Sequence, residues 1–226
     1  MRIRKMVIST AAVGAIVLGS AAAAFAASRT DTGDHFSLKA GTKLSAKAGA
    51  SSTVKCPAGS ASAPLVFCGS VDGIPIWVKC TTFSASGLIP SSGLTVTLSA
   101  APTFGGCSDS TKHSDTIKTN TTNGKWSLTE IDNPKETATE PNSGDQAELN
   151  IPKAGATFVS SFLPACVVVV APTATAHLKG SFNDVTTIKD TAAALATAPQ
   201  NSAVCTAGNT TVTGTITLST AVHDTP

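Results

Sequence analysis

Tyrosine is absent from this chain, and its aromatic residues amount to two Trp and eight Phe in 226 residues. Proteins that hold sugars by stacking rely on exposed Trp or Tyr, so that mode of binding has little to draw on here. Charge is scarce as well: Asp, Glu, Lys and Arg make up 13%, about half the usual share. A coiled coil, a disordered polyelectrolyte and a nucleic-acid-binding domain all require more. No G-x-S-x-G, H-E-x-x-H, phosphate-binding loop or G-x-G-x-x-G occurs, which removes the enzyme classes legible from a local motif. Nor does any stretch keep apolar residues at three-and-four spacing over three turns, so a helical fold is not expected.

What replaces charge is hydroxyl. The 33 Thr and 25 Ser supply a polar surface, and Thr favours strands. The first five residues carry Arg2, Arg4 and Lys5, the next stretch to Ala24 is uncharged, and Ala24-Phe25-Ala26 places small residues where signal peptidase reads. Residues 1–26 are therefore expected to be a cleaved signal peptide. An uncleaved anchor is the alternative, disfavoured by the richness in Ala. Residues 27–34 then form a flexible segment, 35–222 a single domain and 223–226 a tail. Cleavage removes three of the 16 basic residues, leaving 13 against 14 acids and a net charge of −1. Neither nucleic acid nor, after cleavage, a membrane is implied as a partner.

Six cysteines in an exported chain are expected to form three disulfides. No two have C-x-x-C spacing. Six allow 15 connectivities; proximity suggests Cys56 with Cys68, Cys80 with Cys107, and Cys166 with Cys205.

Period-two alternation marks half-buried strands at 43–48, 94–99, 173–182 and 211–219. Cys166 to Val170, with four consecutive valines, reads as a deeply buried strand. Asp72-Gly73 predicts a tight hairpin between 64–70 and 74–82, and Asn123-Gly124 a second one joining 116–119 to 125–131. Segments 147–151 and 157–160 read as strands around a turn at 152–155. Asp190 is a possible cap for a short helix over 192–196, with a loop or strand as alternatives. The Ser/Ala/Gly-rich stretch 49–62 reads as a mobile loop, stapled if Cys56 pairs with Cys68. About ten short strands are expected, in an immunoglobulin-like antiparallel β-sandwich, with a β-barrel as the alternative.

Chemistry-bearing residues are few. His113, near Asp109 and Asp115, is the best placed of four dispersed histidines for a hydrolase, although a solvated loop is the simpler expectation. Six acids fall between Glu130 and Glu148. A solvated acidic loop is the default there, and Ca²⁺ held by Asp132, Asn133, Asn142 and Asp145 is the alternative, without EF-hand spacing. Lys39, Lys43, Lys47 and Lys55 lie in a span without acids; they would suit an anionic wall polymer or, more simply, keep an edge strand soluble. Alternation places Trp77 and Lys79 opposite Ile74, Ile76, Val78 and Cys80. They are thus candidate ligand contacts on an outer face, unless a lid covers the ring. Trp126 is expected in the core.

Ser37-Leu38-Lys39-Ala40-Gly41-Thr42, Asp72-Gly73-Ile74-Pro75-Ile76, Ser92 to Leu98, Thr122-Asn123-Gly124-Lys125-Trp126 and Ile151 to Ala156 together resemble a group of exported actinobacterial proteins of unknown function. The resemblance implies secretion and a β-sandwich, and carries over no activity. The expected function is that of a secreted, non-catalytic binding or structural protein with an extracellular or cell-wall partner. A calcium-stabilised surface module and a secreted hydrolase are the alternatives.

Overall fold

The computed structural model describes residues 35–36, 38–131, 145–184, 186–222 and 224–225. The expected signal peptide, the 27–34 segment and residues 132–144 lie outside the described residues. Those described form twenty strands and no helix. The first seven are β1 (His35–Phe36), β2 (Lys43–Ala48), β3 (Ser52–Cys56), β4 (Gly59–Ala63), β5 (Leu65–Val71), β6 (Ile74–Cys80) and β7 (Thr82–Leu88). There follow β8 (Thr95–Thr97), β9 (Thr103–Gly105), β10 (Cys107–Asp109), β11 (Ser114–Thr119), β12 (Ser127–Ile131), β13 (Gln146–Ile151) and β14 (Ala156–Ser160). The last six are β15 (Val167–Val170), β16 (Ala176–Asp184), β17 (Thr187–Leu195), β18 (Thr197–Pro199), β19 (Thr210–Leu218) and β20 (Asp224–Thr225).

All pairings are antiparallel. Sixteen strands belong to one sheet, and β1–β20 and β3–β4 are separate ribbons. The sheet forks at β19. Strand β17 runs along one side of it, while the other side is shared by β5 at Thr211 to Gly214 and β2 at Ile216 to Leu218. One arm proceeds β5–β6–β10–β11–β14–β15–β18, and β18 follows β17 after the single residue Ala196. The other arm passes from β2 to β7, crosses the bridge Gly87↔Leu98 to the end of β8, and returns through β12, β13, β16 and β17. Both arms therefore curl back to β17 and β19, which they share.

Alternation explains why the interior fills. Val96 and Leu98 are buried between exposed Thr95 and Thr97, and Leu178 between exposed His177 and Lys179. Each such aliphatic burial contributes about 1.5–3 kcal/mol. Phe67 meets Phe104 and Phe158 edge-on, with ring centroids 6.2 and 5.1 Å apart. Trp126 is buried as expected, its indole N–H donating to the Asn120 carbonyl at 2.9 Å. At the far end of β19, Leu218 packs with Phe36, Leu44 and Val222. The first and last described strands, β1 and β20, pair at that end, where Phe36 and Val222 plug it.

Disulfides join Cys56 to Cys68, Cys80 to Cys107 and Cys166 to Cys205, the pairs that chain proximity suggests. Three disulfides are typical of proteins that fold in an oxidising compartment.

Several expectations are corrected. The immunoglobulin-like sandwich of about ten strands is not found: the hydrogen bonds make one curled sixteen-stranded sheet and two ribbons. Asn123-Gly124 makes a turn, Gly124 N–H donating to Thr121 O at 3.2 Å, but its flanking strands do not pair with each other. Burial of Trp126, and bonds from Asn120 and Asn123 to Ala154 O and Lys153 O, carry the chain across instead. Strand β11 then pairs with β10 and β14, and β12 with β8 and β13. Likewise β13 and β14 flank their turn without pairing to each other. Segment 190–196 lies mostly in β17, the strand alternative: Asp190 and Ala193 to Leu195 pair with β19, and that pairing overrides the helix propensity of the alanines. Stretch 49–62 is the β3–β4 ribbon, not a loop. In β15 only Val170 is fully buried; the other three valines are half-buried. Lys47 lies on no edge, since it pairs with both Thr217 of β19 and Ser84 of β7, whereas Lys43 pairs with Leu88 of β7 alone.

Candidate functional site

At the end of β19 away from the plug, four turns surround a cavity of about 180 Å³. The first is the β5–β6 hairpin tip, where Asp72 (φ 52°) and Gly73 (φ 73°) adopt the left-handed conformation that the Asp-Gly pair tolerates. Asp72 accepts the Thr206 N–H at 2.7 Å, and Gly208 N–H donates to Ser70 O at 3.1 Å. This clasps the tip to the 205–208 segment, which the Cys166–Cys205 disulfide anchors to the 161–166 turn. The last turn, 110–113, joins β10 to β11.

Walls and rim are apolar. Phe67, Val78, Phe158 and Val168 line the cavity, and Ile74, Phe162 and Leu163 stand at the mouth with 69%, 57% and 43% of their surface exposed. Besides Ser70 and Asp72 at the hairpin tip, and Thr210, the polar lining comes from β10, β11, the turn between them, and Ser160. Asp109, nearly fully buried, accepts Thr111 N–H at 2.8 Å, Thr111 Oγ–H at 2.5 Å and His113 N–H at 3.0 Å on Oδ1, and Ser160 Oγ–H at 3.1 Å on Oδ2. Burial alone would raise its pKa; these hydrogen bonds outweigh burial and hold the carboxyl below its usual range. Asp115 is nine-tenths buried, and neither of its oxygens meets hydrogen-bond geometry with a partner. Burial, aided by the Asp109 charge, pushes it up to about 6, and the nearby Ser160 hydroxyl and His113 offset only part of the rise.

His113 does not form a relay with serine. Its Nδ1 lies 2.7 Å from Thr111 Oγ, its ring lies against Phe162 at 4.8 Å between centroids, and the Ser160 hydroxyl points to Asp109. The expected solvated loop histidine is thus half-buried in a turn at the cavity. The sequence does not single out Ser160 or Phe162, whose only signal is the apolar pair Phe162-Leu163 in a turn just ahead of Pro164, and Ile74, expected on the aliphatic face of its strand, stands exposed at the mouth instead.

The other candidate residues lie elsewhere. Trp77 is half-buried, packed with Val66, Cys68 and the ribbon residues Cys56, Ala61 and Ala63, and the Lys79 ammonium stands 5.6 Å from its ring centroid. Asp132, Asn133 and Asn142 fall outside the described residues. Asp145 is fully buried and Glu130 nearly so, so these acids do not lie in a solvated loop. Glu148 is 2.8 Å from His177 Nδ1 and 3.8 Å from Lys179 Nζ. Among the described residues no group of three or more His, Cys, Asp or Glu is placed to hold a metal ion. A further acid, Asp190, lines an inner apolar cavity of about 70 Å³ with its Oδ1 buried and unpartnered, and burial pushes its pKa up to about 7.

Comparison with protein-family models, with curated proteins and with solved structures found no match.

Proposed function

We propose that this chain is an exported, non-catalytic binding protein that takes an apolar small molecule into the cavity at the open end of its curled sheet. The observation that carries the reading is the mouth itself. Three large apolar side chains, Ile74, Phe162 and Leu163, gather exposed around one apolar-lined opening. Soluble proteins group exposed apolar side chains in this way where a ligand or partner covers them. The framework suits the role, because a disulfide and backbone hydrogen bonds fix the turns that form the mouth, and pre-organisation reduces the entropy lost on binding. The ligand is met outside the cell or in the wall. Catalysis is left out because the buried Asp109 is consumed by its own turn and the Ser160 hydroxyl is engaged by Asp109 rather than by a base.

The test is titration of the oxidised, exported chain with the neutral apolar fluorophore N-phenyl-1-naphthylamine. Saturable one-site binding, weakened about tenfold or more in the doubly substituted Phe162→Ser, Leu163→Ser protein, is expected. Non-saturable binding, or binding indifferent to the double substitution, would refute the reading.

A further inference from the structure

The cavity's chemistry also selects among apolar ligands. Three carboxylates, Asp72, Asp109 and Asp115, line it, and no Lys, Arg or His does. Asp72 is used by Thr206 and Asp109 by its own turn and Ser160. Asp115 is different: it is nine-tenths buried and lines the cavity, and neither oxygen is in hydrogen-bond geometry with a partner, the Ser160 hydroxyl beside it being directed to Asp109. A buried acceptor without a donor is unfavourable, and a carboxylate in an apolar surround more so. A ligand bringing N–H donors and positive charge would relieve both. An anionic head group would meet like charge and no Lys, Arg or His in the lining.

We propose that the ligand is an apolar amine, a primary or secondary ammonium on a hydrocarbon or aromatic body, with Asp115 receiving its N–H groups and Phe67, Phe158 and Phe162 facing the body. The proposal rests on the binding reading above and adds the head group. The three rings suit a cation as well as a hydrocarbon, since an ammonium is attracted to an aromatic face.

The ionisable groups that face Asp115 are few. Asp109 on β10 and His113 in the β10–β11 turn are the charged neighbours that act on it. Strand β14, paired along β11, contributes Ser160 and no ionisable side chain, and on β6 Lys79 stands over Trp77 on the other face. Amine binding should therefore strengthen as pH rises through about 6, where Asp115 ionises, and change little above that.

Octylamine, octanol and octanoate share a chain and differ in head group, so they serve as probes for calorimetric titration at pH 7.5. Octylamine is expected to bind at least about tenfold tighter than octanoate, with octanol between. Asp115→Asn, which keeps shape and removes charge, should weaken octylamine by about tenfold or more, weaken octanol far less, and flatten the pH dependence near 6. Octanoate binding as tightly as octylamine, or a preference for octylamine that survives Asp115→Asn, would overturn the proposal while leaving the cavity as a binding site. Failure of all three probes, together with the fluorophore, would remove the binding reading and the amine proposal with it.

Discussion

Replacing Asp190 with Asn should make the protein more stable at neutral pH and not at acid pH. Asp190 sits half-buried on β17 beside a bulge, two residues after Ile188, its buried Oδ1 at a cavity otherwise lined by side chains such as Leu178 and Ile216. Its only resolved perturbation is burial, which takes the carboxyl from 3.8 to about 7. The unfolded chain releases this proton near 3.8, whereas the folded chain keeps it until about 7. Stability therefore falls as pH rises between these values, and above them the full penalty stands. A rise of about three pKa units at 1.36 kcal/mol each is about 4 kcal/mol. Urea unfolding followed by Trp fluorescence, for parent and Asp190→Asn at pH 4, 5.5, 7 and 8.5, measures it. The difference should grow in favour of the variant from acid to pH 8.5, by up to about 4 kcal/mol, and the contribution of Asp115 cancels because both proteins contain it. A difference independent of pH would show that Asp190 is not buried as an uncompensated acid.

The three perturbed acids together set the pH optimum of the parent. Asp115 and Asp190 favour acid, while the lowered pKa of Asp109 gives stability that is held above 3.8 and lost as pH falls through its folded value. A scan of the unfolding midpoint should thus peak near or below about pH 4 and decline as pH rises towards 7; a peak above pH 8 would contradict this balance. In Gly87→Ala the new methyl would come 2.5 Å from Val96 Cγ1 and 2.6 Å from the Thr97 carbonyl. Its predicted loss is about 1–3 kcal/mol by denaturant titration, since backbone on one side cannot yield. Cys166→Ala with Cys205→Ala frees a loop of 39-residue separation and should lower stability by about 4 kcal/mol in the chain-entropy account. It should also weaken fluorophore binding, because those cysteines fix the mouth. Trp126→Ala is expected to lose about 3–5 kcal/mol, and a loss below 1 kcal/mol would mean that the indole is not in the core.

Strands such as β8, β16 and β19 were legible because a sheet with one dry face imposes a period of two on the sequence itself. The Asp72-Gly73 hairpin was legible for a similar reason: the turn is a local event between adjacent segments. Pairing between distant segments leaves no such trace. Asn123-Gly124 marks a turn correctly and says nothing about the partners of β11 and β12, which Trp126 decides through contacts remote in sequence. The alanines of 192–196 carry helix propensity, yet pairing of Ala193 to Leu195 with β19 keeps the segment in a strand. The site was the least legible part. His113 drew attention to Asp109 and Asp115, but Ser160 and Phe162 come some fifty residues later, and only the β11–β14 pairing brings them alongside.

Strand β19 is a stave common to both loops of the sheet, hydrogen-bonded to β17 on one edge and to β5 and β2 on the other. Neither half can be cut out with its own complete set of backbone partners. Melting should accordingly proceed as a single event, with calorimetric and van't Hoff enthalpies in agreement, and fragments ending before Thr210 should not fold at all.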